Sequence, residues 1–470
     1  MTTRPNFIFL IADDHRHRSI GCNGCAQVLT RNLDALAERG ASFDQAHCQG
    51  GFDAAVCVPS RASLMTGRDV FALRRAQEAD PAHHGEHSRH ADTIPAAMPT
   101  FPELLRRAGF RTHGIGKWHN DAASFARSFS SGDSIFFGGM SDHDKVPLHD
   151  FDPDGAYPPG AARLTTEFST DIFREAAKRF LTEQDATTPF MLYVAFTAPH
   201  DPRTPPPGYR PNPDDLTLPP DYLPTHPFDN GETAIRDELL EAFPRSETAV
   251  RNHLADYYGM IAHLDAAIGD ILRTADAQGL LENTVVIYTS DHGLALGSHG
   301  LMGKQNLYQH SLGVPLIIAG PGIAAGQRLD DLVWHGDTRA TVLDLAGVTE
   351  DGGGDAVSLA ERLRGGGEAA RDTFGAVYKM SQRMIRTNRY KYIRYHPDSE
   401  KPAMTVVGGT PGSATEQLFD LHNDPFERVN LAFAPEFQTT RVDMAAALQE
   451  WQRAHDDELV CVPGENGSCD

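Results

Sequence analysis

The chain of 470 residues has 40% hydrophobic and 23% charged residues, a composition that excludes a disordered or fibrous protein and is typical of a soluble globular one. Its net charge of -22 opposes binding to nucleic acid and to anionic membranes, so an anionic substrate needs a local cluster of positive charge. Six cysteines are too few for a disulfide scaffold, and we expect reduced thiols.

The N-terminal sequence and the hydropathy pattern predict a cytoplasmic protein that does not insert into membranes. No apolar stretch approaches the roughly 18 to 20 residues that a membrane-spanning helix requires. Residues 1–5 lead directly into an apolar strand, without the basic, apolar and small-residue regions of a secretory signal.

Apolar strands alternate with amphipathic helices along most of the chain. The pattern predicts strands at 6–12, 110–116, 190–196 and 284–290, and helices at 30–40, 101–109, 169–181 and 247–277. This alternation is typical of an α/β protein with a large, mostly parallel central sheet flanked by helices.

Two long segments and a change of pattern divide the chain further. Segments 121–159 and 199–227, the second with eleven prolines, are predicted to be irregular loops over a site. Glycine triplets at 352–354 and 365–367 precede antiparallel strands at 374–395 and a covering helix at 437–455. We therefore predict a catalytic α/β domain over 1–368 and a smaller C-terminal α+β subdomain with an antiparallel sheet over 369–470.

Polar side chains follow four of the predicted strands. They are Asp13 and Asp14, Lys117 and His119, His200, and Asp291 and His292. Ligands of open α/β sheets bind outside the carboxyl ends of the strands, so these side chains are expected at one rim. Three carboxylates gathered there repel one another unless a cation lies between them, and oxygen ligands favour Ca²⁺ or Mg²⁺. The imidazole of His292 leaves Mn²⁺ or Zn²⁺ open.

The fifth polar element is the segment from Cys57 to Gly67. Pro59 suits the first turn of a helix and Gly67 its end, which places Cys57 at a helix N-terminus, where anions are attracted. Arg61 adds a guanidinium one turn further on. Taken locally, these residues leave open whether Cys57 is reactive or is only a small buried side chain.

Together these motifs resemble those of the type I sulfatases, the formylglycine-dependent branch of the alkaline phosphatase superfamily. The signature of that family resembles Cys57-x-Pro59-x-Arg61, which continues here to Thr66-Gly67-Arg68. Further blocks occur in the family's order at 13–14, 116–119, 199–200, 290–293, 297–304 and 418–431. The resemblance covers nearly the whole chain and implies an alkaline phosphatase-like fold.

The resemblance also implies a modified nucleophile and a metal. In such enzymes a separate maturase oxidises the cysteine, here Cys57, to formylglycine, and the hydrate of that aldehyde attacks the substrate. The implied ligands of one divalent cation, Ca²⁺ before Mg²⁺ or Mn²⁺, are Asp13, Asp14, Asp291, His292 and the modified Cys57. Many members of the family have Asn where this chain has His292.

The remaining roles follow from the same resemblance. Asp291 is expected to be the base for the attacking hydroxyl, and Arg61 and Lys117 are expected to hold the hydrate. Lys117 and Lys304 would bind the sulfate oxygens. His200, assisted by Lys304, would protonate the leaving alcohol, and His119 would deprotonate the second hydroxyl.

The expected activity is hydrolysis of a sulfate ester, of a sulfated carbohydrate or of a small organic sulfate, with no nucleic acid or membrane as partner. The alternative is hydrolysis of a phosphonate monoester or a phosphodiester, which related formylglycine enzymes perform. Nothing in the sequence indicates the oligomeric state. Five polar residues of the two loops are interpreted as solvated rather than as ligands of a second anionic group: His143, Lys145, His149, Arg203 and Arg210.

Two further patterns are given simple interpretations. Cys22 and Cys25 have the spacing of a redox pair, but no matching second pair follows, and we interpret the intervening Asn-Gly as a turn. The histidine tract at positions 83, 84, 87 and 90 is interpreted as a solvated loop.

Overall fold

The computed structural model describes residues 4–79, 93–184, 187–232, 234–349, 354–396 and 415–459. The histidine tract at 83–90 lies outside these ranges. In the described part of the chain, no helix combines the length and the apolar character needed to cross a membrane. The cytoplasmic location remains a prediction.

Four predicted strands and four predicted helices are found within two residues of their expected bounds. The strands are β1 (Asn6–Ala12), β2 (Gly40–His47), β3 (Gly50–Gly51), β4 (Arg111–Lys117), β5 (Ser131–Phe136), β6 (Pro147–Leu148), β7 (Arg163–Leu164), β8 (Phe190–Ala195), β9 (Thr284–Ser290), β10 (Leu316–Ala319), β11 (Gln327–Trp334), β12 (Phe374–Tyr378), β13 (Gln382–Arg386), β14 (Tyr390–Tyr395) and β15 (Glu416–Asp420). The helices are α1 (Arg31–Glu38), α2 (Cys57–Thr66), α3 (Val70–Ala79), α4 (Phe101–Arg107), α5 (Ala122–Ser128), α6 (Ser169–Thr182), α7 (Glu247–Ala277), α8 (Gln309–Leu312), α9 (Asp337–Leu345), α10 (Ala360–Leu363) and α11 (Gln438–Ala454).

The larger sheet has the strand order β11-β2-β10-β9-β1-β8-β4-β5. Its strands run in one direction except β10, which is antiparallel to β9 and β2. Phe7 and Phe9 of β1 pack on the face that carries α2 and α4, and Ile8 and Leu10 pack on the face that carries α6 and α7. A strand covered on both faces reads as a continuous apolar run, which is why the sequence predicts it well. The predicted α/β class is confirmed.

The prediction that 121–159 is irregular was wrong in part, because this segment contains α5 and the edge strand β5. The Asp121 carboxylate caps α5 by accepting a hydrogen bond from the Ser124 amide. A side chain at Gly114 would lie within 2.9 Å of the rings of Phe125 and Phe129, so the glycine lets α5 and the residue after it pack directly on β4. Segment 199–227 is described in full, and it is irregular as predicted apart from one 3₁₀ turn at Pro213–Asp215.

The smaller sheet has the order β15-β14-β13-β12-β3 and is antiparallel except where β12 meets β3. Met444 and Leu448 of α11 pack against Tyr392 and Leu418 on one face of this sheet. The antiparallel sheet and its covering helix are therefore present as predicted. The division at residue 368 remains a proposal, with the addition that Gly50–Gly51 contributes a strand to the C-terminal sheet.

His113 of β4 provides a test of how buried histidines affect stability. Its ring stacks on Phe180 at 4.4 Å between centroids, and burial lowers its pKa from 6.5 to about 4. The unfolded chain therefore takes up a proton near pH 6.5 that the folded chain binds only near pH 4, and stability is lost as the pH falls through this window. We expect His113→Gln to reduce the slope of the unfolding free energy between pH 6.5 and 4 by up to about 1.4 kcal/mol per pH unit. Urea denaturation across that range measures it, and an unchanged slope contradicts the assignment.

Candidate functional site

The polar residues after four strands lie together at the carboxyl edge of the larger sheet. The strands concerned, β9, β1, β8 and β4, are neighbours in the sheet and parallel. Their carboxyl ends carry the side chains of Asp291 and His292, Asp13 and Asp14, His200, and Lys117 and His119. Asp13, Asp14 and Asp291 are buried, as is Lys117. The structure thus brings together the residues that sequence reasoning placed at one rim.

Cys57 is the first residue of α2, and its side chain lies against this cluster. The helix ends at Gly67, whose φ of 62° is in the left-handed region that favours glycine. The Cys57 Sγ lies 3.2 Å from His292 Nε2 and 3.4 Å from Lys304 Nζ. The predicted helix is confirmed, and Pro59 is its third residue.

The electrostatic surroundings of Cys57 favour an anion at its side chain. Burial alone raises the pKa of the thiol, but the Lys304 ammonium, followed by Lys117 and His292, lowers it well below its usual value. A helix N-terminus acts in the same direction. Position 57 is therefore a place where negative charge is stabilised.

Each of the three carboxylates is paired with a cationic side chain. Lys117 Nζ contacts Asp13, Lys304 Nζ lies 2.7 Å from Asp14 Oδ1, and Arg61 Nε lies 3.0 Å from Asp291 Oδ2. Burial raises the pKa of Asp291, whereas His292 and then Arg61 lower it by a larger amount, so that this carboxylate stays ionised. Each negative charge of the site therefore lies next to a positive charge.

The donor atoms fit a divalent cation. Two groups of four residues offer one ligand atom each within 4.8 Å of one another: Asp13, Asp14, Cys57 and His200, and Asp13, Cys57, Asp291 and His292. Among the residues that the structure describes, neither Asp13 Oδ1 nor Asp14 Oδ2 has a hydrogen-bond partner, although both are buried. Buried carboxylate oxygens of this kind are costly unless a cation or a donor satisfies them.

His200 is held by residues that sequence reasoning missed. Its Nδ1 lies 2.8 Å from the Asp201 carbonyl oxygen, and the Asp201 carboxylate is paired with Arg236. Burial lowers the pKa of His200, but the Asp14 carboxylate, 4.0 Å from Nε2, raises it to a net value above the usual one. Asp201 follows His200 directly in the sequence, and this position could have indicated the contact between them.

His143 also positions His200, which corrects an expectation. It was interpreted as a solvated loop residue, but it is buried, and its Nε2 lies 2.9 Å from the His200 carbonyl oxygen. His149 is also buried, whereas Lys145 is exposed and pairs with Asp142. The irregular sequence around position 143 gave no indication of its burial.

Of the two arginines of the second loop, Arg210 is exposed as expected, whereas part of the Arg203 guanidinium is buried. Arg210 pairs on the surface with Asp256 at 2.5 Å. The Nε and Nη2 atoms of Arg203 are buried and, within the part of the chain that the structure describes, have no hydrogen-bond partner. Arg203 is therefore not a solvated loop residue, and that interpretation was wrong for it.

His119 has a left-handed backbone conformation, with a φ of 53°, and its ring lies beside Gly139. Burial and, after it, the Lys117 ammonium lower the pKa of His119, so the ring is neutral and able to accept a proton. The Gly139 carbonyl oxygen also accepts a hydrogen bond from Lys117 Nζ at 2.5 Å. Gly139 thus touches two residues of the cluster.

A side chain at Gly139 is expected to disturb the site without unfolding the protein. The Cβ of an alanine would lie 2.8 Å from His119 Nε2, which forces the ring to move. We expect Gly139→Ala to lower kcat/KM about 10- to 100-fold, as a displacement of about 1 Å can do, with little change in Tm. Gly160→Ala is the matched control, because nothing lies within 4 Å of its Cβ position. Equal activities of the two variants would exclude a role for the His119 ring position.

Comparisons with known proteins place most of the chain in one family. The model of the sulfatase family matches residues 5–348, and that of the N-sulphoglucosamine sulphohydrolase C-terminal region matches residues 297–454. The N-acetylglucosamine-6-O-sulfatase of Bacteroides thetaiotaomicron is 25% identical over 528 residues, covering 97% of this chain and 88% of the relative.

Solved structures share the fold over nearly the whole chain. That of BT4656 in complex with its substrate D-glucosamine-2-N,6-O-disulfate has a TM-score of 0.75 at 24% identity and covers 97% of this chain and 99% of its own. The phosphonate monoester hydrolase of Agrobacterium radiobacter has a TM-score of 0.71 at 21% identity and covers 99% of both chains. The alkaline phosphatase-like fold expected from the sequence is confirmed.

Proposed function

The chain belongs to the sulfatase family and is a sulfuric ester hydrolase, and on this premise we propose that its nucleophile is a formylglycine formed from Cys57. The observation that carries the proposal is the position of Cys57. It begins α2, its Sγ lies within 3.4 Å of Lys304 and His292, and it belongs to both groups of potential metal ligands. When Cys57 is converted, the aldehyde hydrate supplies one hydroxyl for attack and a second that lets sulfate depart without attack by water.

We propose that Asp13, Asp14, Asp291, His292 and position 57 hold one divalent cation. The three carboxylates favour Ca²⁺ or Mg²⁺, and His292 leaves Mn²⁺ as an alternative. A cation held there would supply positive charge that favours an ionised hydroxyl at position 57 and offsets the charge that develops on the sulfate. His292 is oriented for ligation through Nε2, because its Nδ1 lies 3.0 Å from the Gly293 carbonyl oxygen.

Two lysines are proposed to bind the sulfate, and an arginine is proposed to hold one of them in position. Lys304 Nζ, close to both Asp14 and Cys57, is placed to bind a sulfate oxygen next to the nucleophile. Lys117 Nζ, on the side of Asp13, is placed to bind another. Arg61 donates through Nη1 to the Lys117 carbonyl oxygen at 2.9 Å, and so fixes Lys117 relative to Asp291. Fixed charges of this kind stabilise the transition state more than the ground state.

Three residues are proposed to move protons. Asp291 accepts the proton of the attacking hydroxyl, since it is ionised and one of its oxygens lies within 4.8 Å of the Cys57 Sγ. His200, whose pKa is raised, carries the proton that the leaving alcohol takes up. His119, whose ring is neutral, accepts the proton of the second hydroxyl and so completes the release of sulfate.

We infer that the substrate is a sulfated carbohydrate. Support comes from the relative named N-acetylglucosamine-6-O-sulfatase, from the structure bound to D-glucosamine-2-N,6-O-disulfate, and from the match to the N-sulphoglucosamine sulphohydrolase C-terminal region. A separate maturase remains the predicted partner. Hydrolysis of a phosphonate monoester is less supported, because both family models that match this chain describe sulfatases or a sulphohydrolase, whereas the phosphonate monoester hydrolase is similar in fold at 21% identity.

A panel of matched substrates tests the reaction class. The protein, with the state of the Cys57 peptide verified by mass, is assayed with 4-nitrophenyl sulfate, a 4-nitrophenyl phosphonate and a phosphodiester, each with Ca²⁺, Mg²⁺ or Mn²⁺. We expect kcat/KM to be highest for the sulfate, and glucosamine 6-sulfate to be desulfated as well. A higher kcat/KM for the phosphonate or the diester would move the proposal to the alternative function.

A further inference from the structure

We propose that Asp221, His299 and His310 form a second metal site, suited to Zn²⁺ and separate from the cluster around Cys57. One carboxylate oxygen and one nitrogen from each imidazole lie within 4.8 Å of one another. Asp221 Oδ2 and His299 Nε2 are 3.5 Å apart. None of the three residues belongs to the groups around Cys57.

Asp221 and His299 are held in place by several contacts, and a metal bound to His299 Nε2 would replace its contact with the Phe426 carbonyl oxygen at 3.2 Å. The Ser298 hydroxyl donates to Asp221 Oδ1 at 2.9 Å, and the His299 amide donates to the Asp221 carbonyl oxygen at 2.7 Å. Asp221 Oδ2 is thereby directed towards His299, whose ring stacks on Tyr308 with centroids 4.0 Å apart. Outer contacts that orient the ligands are a regular feature of metal sites.

His310 supplies the observation that requires a ligand. Among the residues that the structure describes, neither of its ring nitrogens has a hydrogen-bond partner, and both are inaccessible to solvent. An imidazole whose two nitrogens are reached by neither solvent nor a hydrogen-bond partner offers a ligand atom, and leaving it unsatisfied is costly.

The backbone on either side of His310 is held by contacts with two other segments. The amide of Gln309 donates to Glu427 Oε2 at 2.7 Å. On the other side, a Cβ on Gly293 would lie 2.0 Å from the His310 carbonyl oxygen, which shows how closely the two chain segments approach. The three ligands therefore come from three segments that are each anchored independently of a metal.

The site borders a cavity of about 360 Å³, whose lining includes Asp221, His310, Arg18, Tyr258 and Phe426. Two imidazoles and one carboxylate are a ligand set that suits Zn²⁺ better than Ca²⁺, and three protein ligands leave a position for water or an added ligand. Arg18 lies over the Phe426 ring at 4.4 Å beside the same cavity, where its charge would favour an anionic fourth ligand. The positive charge of Arg16 opposes a cation, so we expect weaker binding than at a four-ligand structural zinc site.

Zinc stoichiometry at fixed free Zn²⁺ tests the proposal. The full chain carries Cys57→Ala, which removes the thiol from the catalytic cluster, and excess Ca²⁺ competes for the carboxylates there. Equilibrium dialysis with elemental analysis is expected to give one bound Zn²⁺ in this background. His310→Gln and, as a second variant, Asp221→Asn are expected to lose it, whereas His113→Gln, which changes a buried histidine elsewhere, retains it.

Co²⁺ in place of Zn²⁺ gives an independent readout, because visible absorption reports the ligand field directly. We expect bands of a low-coordinate nitrogen and oxygen site that disappear in His310→Gln and Asp221→Asn. The absence of a bound Zn²⁺ in the background protein, or equal stoichiometry in all the variants, would overturn the proposal. Since no readout depends on turnover, failure here is distinguishable from failure of the proposed catalytic mechanism.

Discussion

Cys57→Ala is expected to lower kcat/KM for sulfate ester hydrolysis by at least about 10³-fold, because it removes the precursor of the proposed nucleophile. Folding should persist, since the loss of one sulfur from a buried position costs about 1 to 2 kcal/mol of unfolding free energy. The measurement is steady-state turnover of 4-nitrophenyl sulfate, with thermal unfolding as the check on folding.

Cys48→Ala is the matched control, since Cys48 is also buried and free. Its Sγ lies 3.8 Å from the Ser311 carbonyl oxygen, and Cys48 belongs to neither group of potential metal ligands around Cys57, so we expect less than about a ten-fold change in activity. Equal losses in the two variants would indicate a packing effect and would contradict the nucleophile assignment.

Cys57→Ser refines the same prediction. A serine can be sulfated once, but it lacks the second hydroxyl that releases sulfate, so we expect sulfated enzyme to accumulate. Intact mass measurement after incubation with substrate detects the added sulfuryl group. Turnover of the serine variant at the rate of the parent enzyme would exclude the proposed role of formylglycine.

His200→Gln is expected to have the second largest effect, and its size should depend on the leaving group. An alkoxide leaving from a sugar or alkyl sulfate needs a proton, and general acid catalysis contributes about 10²- to 10⁴-fold. 4-Nitrophenolate is stable without one. We therefore expect a loss of about 10²-fold or more in kcat/KM for the alkyl substrate and a much smaller loss for 4-nitrophenyl sulfate.

The control for His200→Gln is again His113→Gln, which replaces a buried histidine away from the site and should leave both substrates unaffected. If His200→Gln lowers both values of kcat/KM by the same factor, His200 binds or orients the substrate and does not donate the proton. The ratio of the two effects therefore decides the role, whatever the absolute activities are.

The sequence predicted the central part of the fold because physical constraints leave a clear pattern there. β1 is buried on both faces, so its seven residues read as an apolar run, and the polar residues that follow it mark the sheet edge. Edge and short strands give no such pattern. β5 begins Ser-Gly-Asp-Ser, and β10 has four residues and runs against its neighbours.

Some residues of the site could likewise be predicted from the sequence, and others could not. Residues next to strand ends, such as Asp13 and Asp291, were predictable because the direction of the strands fixes where those ends lie. The contacts of His143 and Arg236 with the His200 region depend on the path of irregular loops through space. Such paths carry no periodicity in sequence, and only the structure places these residues.

The most direct test of the central claim compares activity with the state of position 57. Preparations made with increasing amounts of a formylglycine-generating maturase are analysed by peptide mass for the fraction of aldehyde at Cys57, and kcat for 4-nitrophenyl sulfate is measured on each. If formylglycine is the nucleophile, kcat rises in proportion to the aldehyde fraction and extrapolates to zero activity for the cysteine form. Full activity in protein that contains only cysteine at position 57 would contradict it.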